Sequence, residues 1–144
     1  MRNRPERIAA PSDSLMPITY TRDDRRHLIT VTVDGPFDLD EIMATIDRQA
    51  AEGTWRYGRL YDERGMQPAP TSDQIRALLE AVRQRIRMHG RRGPVAVLTD
   101  QPTVYGMVRM YMSLAGEEPS VSVFRDVGDA DRWLADRGHG PATI

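Results

Sequence analysis

The sequence predicts a single-domain α/β protein with a five-stranded, mostly parallel (mixed) sheet and four helices. Three observations carry this. Segments of alternating polarity follow segments of helical period in the order β-β-α-β-α-β-α-β-α. The length, 144 residues, falls in the range of roughly 100–200 residues that makes one domain. The chain is 40% hydrophobic and 28% charged, which suits a globular core rather than a disordered or fibrous chain. It has no cysteine, so a disulfide scaffold, a thiolate metal site and a cysteine nucleophile are all excluded.

The elements follow in order. Residues 1–17 hold arginine, proline and serine but no apolar h-region, so they read as a flexible tail and not as a secretory signal. The domain is expected over residues 18–137. Ile18 to Arg22 and His27 to Asp34 alternate and are rich in β-branched residues; a polar turn joins them, so they predict an antiparallel hairpin. Asp38 is placed to cap a first helix, with Glu41 three residues on. Leu39, Ile42, Met43 and Ile46 form its apolar stripe, and Gly53 ends it. Tyr57 to Asp62 reads as a third strand, followed by a Pro/Gly loop over 65–70. Thr71 or Ser72 caps a second helix with Ile75, Leu79, Val82 and Ile86 inward and Gly90 at its end. Pro94 to Thr99 is continuously apolar, as a strand covered on both faces should be. Pro102 opens a third helix that Gly116 closes. Ser120 to Arg125 is the fifth strand, and residues 128–136 form a short last helix. Residues 138–144 read as a C-terminal tail. Helices between strands imply right-handed crossovers and a largely parallel sheet, with the hairpin strand at an edge.

Charge narrows the function classes. Twenty basic residues face 21 acidic ones, for a net charge of −1, which is no general footprint for nucleic acid or an anionic membrane. All the basic residues are arginine, so Schiff-base, general-base and P-loop lysines are excluded. No apolar run approaches the ~20 residues that span a bilayer. A cytoplasmic protein without an integral membrane segment is expected.

The C-terminal third carries a family resemblance. It reads GPVAVLTD over 93–100, VYGMVRMYMSLAG over 104–116 and VSVFRDVGDADRWL over 121–134. With the element order, this resembles the SpoIIAA-like fold shared by STAS domains and the Sec14 (CRAL-TRIO) class, over Ile18 to Leu134. The resemblance implies a regulatory or ligand-binding module more than an enzyme. STAS antagonists of anti-sigma factors carry a phosphorylatable serine after the third strand, and Ser72 and Thr71 stand at the matching place. The family's Asp-Ser-(Ser/Gly)-Gly-Leu pattern is absent here; a proline-rich loop replaces it. Two readings of Ser72 and Thr71 follow: a helix cap or a phospho-acceptor at a helix N-terminus.

Other constellations are weaker. Asp34, Asp62, Asp100 and Asp126 all end strands, where they serve either as caps or as a polar site for Mg²⁺. Receiver domains add a lysine that this chain lacks. His27, His89 and His139 have no metal-ligand spacing, and neither a G-x-S-x-G elbow nor a phosphate loop is present. No cofactor or metal is expected. Arg76, Arg83 and Arg87 share a helix face with Glu80, which reads as a solvated face.

The third helix is the least ordinary element. Val104, Met107, Val108, Tyr111, Leu114 and Ala115 form its inward stripe, while Tyr105, Met110 and Met112 lie outside it. A helix apolar nearly all round calls for cover on both sides. Three covers are open: a second subunit, an apolar ligand, or loops flanking the core. The leading expectation is a non-enzymatic regulatory module that contacts an unknown protein partner and forms a homodimer through this helix. The alternative is a carrier or sensor of an apolar small molecule, with Tyr105, Met107, Met110 and Tyr111 lining its pocket. A Mg²⁺-dependent enzyme using Asp62 and Asp100 is the third.

Overall fold

The computed structural model describes residues 18–116 and 120–139. The expected tail 1–17 and residues 140–144 lie outside them. β1 (Ile18–Asp23) and β2 (Leu28–Gly35) form the antiparallel hairpin, in register from Ile18↔Val33 to Asp23↔Leu28. Its turn is closed by Asp23, whose Oδ1 accepts from the amides of Arg25 and Arg26 at 3.1 Å.

β3 (Gly58–Met66), β4 (Val95–Leu98) and β5 (Val121–Phe124) continue the sheet in parallel, in the spatial order β1-β2-β3-β4-β5. Each crossover therefore steps the same way across the sheet. Right-handed crossovers that all step one way place their helices on one face. α1 (Leu39–Ala51), α2 (Ser72–His89) and α3 (Pro102–Ala115) accordingly pack on a common core with Ile29, Val31, Val95, Val97 and Val123. α4 (Val127–Ala135) has no further strand to reach and folds onto the opposite face. There Ala130 and Leu134 bury Leu60, Ala96 and Leu98. α4 packs chiefly over β4 and β5, with Leu60 of β3 and Leu28 at the start of β2 at the edge of the cluster. This explains why, beyond Leu28, β1 and β2 present Thr19, Thr21, Thr30 and Thr32 on that face.

The caps follow local chemistry. Asp38 accepts from the Glu41 amide at 3.2 Å and opens α1. Thr71, not Ser72, caps α2: its hydroxyl accepts from the Gln74 amide at 3.1 Å, and Gln74 Oε1 accepts from the Thr71 amide at 2.8 Å. Gly90 and Gly116 end α2 and α3 at positive φ, where a side chain would be strained.

Two boundaries differ from expectation by more than one residue. β3 continues to Met66, beyond the expected end at Asp62. A bulge in β3 between Asp62 and Gly65, opposite Thr32 to Asp34, resets the register so that Asp34 pairs with Gly65, whose missing side chain leaves room for the Asp34 carboxylate. Gly138 and His139, expected in the tail, are folded. The His139 amide donates to Leu134 O at 2.9 Å, and its imidazole lies against Gly58.

Candidate functional site

β3 carries the site. Period two turns Leu60 toward α4 and sends Arg59, Tyr61 and Glu63 to the face beneath α1–α3. A guanidinium, a phenol and a carboxyl thus enter a side of the sheet that is otherwise apolar.

Arg59 is fully buried. Its Nε donates to Gln49 Oε1 at 2.6 Å, its Nη1 to Tyr57 O at 2.6 Å and its Nη2 to Thr54 O at 3.1 Å. These bonds lock the turn between α1 and β3. Burial lowers its pKa to about 9, with the charge of Arg92 adding to the effect. Arg59 and Arg92 lie over the Trp55 ring, 5.6 and 5.7 Å from its centroid.

Arg92 sits between α2 and β4 and is 6% exposed. Its Nη2 donates to the Tyr61 hydroxyl at 3.1 Å. Its Nε is buried without a hydrogen-bond partner. No carboxylate among the described residues pairs with either buried arginine.

Arg92 and Tyr61 border a half-open cavity of about 80 Å³ between the sheet and α1–α3. Ile42, Ile46, Val82 and Val108 supply apolar walls. Tyr111 of α3 and Glu63 of β3 also face it. Burial pushes the Tyr111 phenol up to about 12, against the lowering charge of Arg92. Burial also pushes Glu63 up to about 7, and the neighbouring Asp62 adds to that. Neither the Glu63 carboxyl nor the Tyr111 hydroxyl has a hydrogen-bond partner among the described residues. Gln101 Nε2 donates to Arg64 O at 2.7 Å and to Met66 O at 2.9 Å, joining the start of α3 to the end of β3.

The sequence-derived candidates scatter around this cavity. Tyr111 lines it. Met107 and Met110 are half-buried and pack with Ile75 and Leu79 of α2. Tyr105 and Met112 are half-buried against the main core, and the Arg125 guanidinium lies 4.0 Å over the Tyr105 ring. α3 is wedged between α2 and β5, so neighbours cover its flanks as well as its inward stripe. Its outward positions are Gly106, Arg109, Ser113 and Leu114; Leu114, expected on the inward stripe, is exposed because it lies on the side of α3 turned away from the sheet.

The strand-end aspartates do not converge. Asp126 caps α4 by accepting from Gly128 N–H at 3.3 Å. Asp62 is held by Arg64 at 2.8 and 2.9 Å, and no group of three His, Asp or Glu among the described residues is placed to hold a metal ion. On α2, Arg87 pairs with Glu80 at 3.6 Å and Arg76 with Asp73 at 3.7 Å.

Neither Arg59 nor Glu63 belongs to a constellation that the sequence singles out. The available signal was a polar or charged side chain at every second position of a central strand, Arg59, Tyr61 and Glu63. Period two puts such residues on one buried face, and burial makes them costly unless paired or used.

These features define a SpoIIAA-like α/β fold. One similar structure is an anti-sigma factor antagonist from Mycobacterium paratuberculosis: 18% identity, TM-score 0.52, covering 90% of this chain and 100% of that one. Another is an uncharacterized protein of the DUF3478 family with a SpoIIAA-like fold from Shewanella loihica PV-4: 16% identity, TM-score 0.54, covering 87% of this chain and 99% of that one. No protein-family model matches the chain, and no curated protein matches its sequence. Among the described residues, no helix is long and apolar enough to cross a membrane.

Proposed function

We propose that the chain is a non-enzymatic, cytoplasmic regulatory module that works by protein–protein contact and forms a homodimer through α3. The observation that carries this is the likeness, over 90% of the chain, to an anti-sigma factor antagonist. Two of its exposed large apolar side chains support it. Met88 (72% exposed) and Leu114 (41% exposed) stand on the neighbouring helices α2 and α3, and Arg83 of α2 donates to Leu114 O at 3.0 Å. Exposed apolar side chains on adjacent helices suit a contact surface. Sedimentation velocity of the wild type and Leu114→Glu tests this. A dimer that the variant converts to a folded monomer is the expected result. A dimer unchanged by the variant removes α3 from the interface.

The cavity favours a second reading, a carrier or sensor of a small molecule with an apolar body. Its observation is the apolar cavity with polar groups left unpaired on its wall. Tyr111 is the residue it shares with the pocket expected from the sequence.

A further inference from the structure

Three polar groups share one part of the cavity. Arg92 donates to the Tyr61 hydroxyl through Nη2 and leaves its buried Nε unspent. The Tyr61 hydroxyl only accepts in that bond, so its own hydrogen is unspent. The Tyr111 hydroxyl lies close enough for Arg92 and Tyr61 to act on it electrostatically, and it makes no hydrogen bond among the described residues. The fold therefore concentrates a guanidinium and two phenolic donors in an apolar chamber with no carboxylate paired to them. A buried guanidinium without a counter-ion is costly, and two phenol donors beside it complete a set that a carboxylate's two oxygens would satisfy.

The surroundings favour an anion at this end. The outer side of Arg92 borders a second cleft, where Arg56 and Arg137 add positive charge. Glu63 stands two residues along β3 from Tyr61, roughly 7 Å away at the strand rise. A ligand's carboxylate is drawn toward Arg92, which leaves its apolar body against Ile42, Val82 and Val108.

We propose that this cavity binds a small monocarboxylate with an apolar body, its carboxylate held by Arg92, Tyr61 and Tyr111. This rests on the second reading above. The size fits a short acyl or aryl acid: the cavity of about 80 Å³ is smaller than the apolar cavity of ~150 Å³ that takes benzene, but it is open at one side.

The test uses Trp55 as reporter, since it lies under Arg92. Trp133→Phe removes the other tryptophan, which is on the α4 face. Hexanoate and 1-hexanol are titrated into this background, then into Arg92→Met and Tyr111→Phe. Hexanoate is expected to bind at least about tenfold more tightly than hexanol, the worth of a charge-assisted hydrogen bond. Arg92→Met should erase that preference and leave hexanol binding intact. Tyr111→Phe, which keeps the ring, should weaken hexanoate severalfold and spare hexanol. Equal binding of hexanol and hexanoate overturns the carboxylate assignment and leaves an apolar cavity standing. If neither ligand saturates at millimolar concentration, the second reading fails and the assignment with it.

Discussion

Glu63→Gln should flatten the pH dependence of stability. The fold holds this carboxyl on an apolar cavity wall, beside Asp62 and without a hydrogen-bond partner among the described residues. Its pKa rises from 4.5 to about 7. The folded state thus holds the proton more tightly than the unfolded chain. The resulting stability is fully present below pH ~4.5 and is lost as pH climbs through about 7. At 1.36 kcal/mol per unit, the ceiling is ~3 kcal/mol. Water entering through the open side screens the charge, which brings the expected loss to ~1–2 kcal/mol. Glutamine keeps the shape and the neutral state at every pH. Urea unfolding of both proteins between pH 5 and 8, followed by tryptophan fluorescence, measures the effect. The variant should gain ~1–2 kcal/mol on the wild type between pH 5 and pH 8. A constant difference across that range would refute the reasoning.

Thr71→Ala should cost ~1 kcal/mol, since the reciprocal cap at α2 is lost, whereas Ser72→Ala should cost less than ~0.5 kcal/mol; urea midpoints distinguish them. Gly93→Ala should destabilise by at least ~2 kcal/mol, because a Cβ there would meet Tyr57 O at 2.2 Å and Arg56 O at 2.5 Å, both backbone atoms that cannot swing away; thermal unfolding reads the loss. Arg59→Met should cost ~3 kcal/mol or more, since Gln49 Oε1, Tyr57 O and Thr54 O would each lose a buried donor; a near-neutral thermal shift would contradict that role.

The element order was legible because each segment has one dominant period. Val95–Leu98 is apolar throughout and is buried throughout, and the α1 stripe of Ile42, Met43 and Ile46 is buried as spaced. The α3 flanks were not legible. Period 3.6 reports how a helix faces a single core, and it cannot show that α2 and Arg125 close on either side of Tyr105 and Met110. The end of β3 was hidden for a related reason. Gly65 signals a turn in isolation, yet here its bare Cα makes room for Asp34 of the next strand. The cavity was the least legible feature. Arg92 lies in a turn sequence, Arg91-Arg92-Gly93-Pro94, that reads as exposed. Its burial depends on Trp55 and Tyr61, 37 and 31 residues earlier in the chain. Only long-range packing brings these together.

Native mass spectrometry of the purified chain tests the central claim most directly, because it reports subunit count and any retained small molecule together. The expected result is a dimer that Leu114→Glu converts to monomer. A monomer of bare mass at every concentration sampled would contradict the homodimeric module.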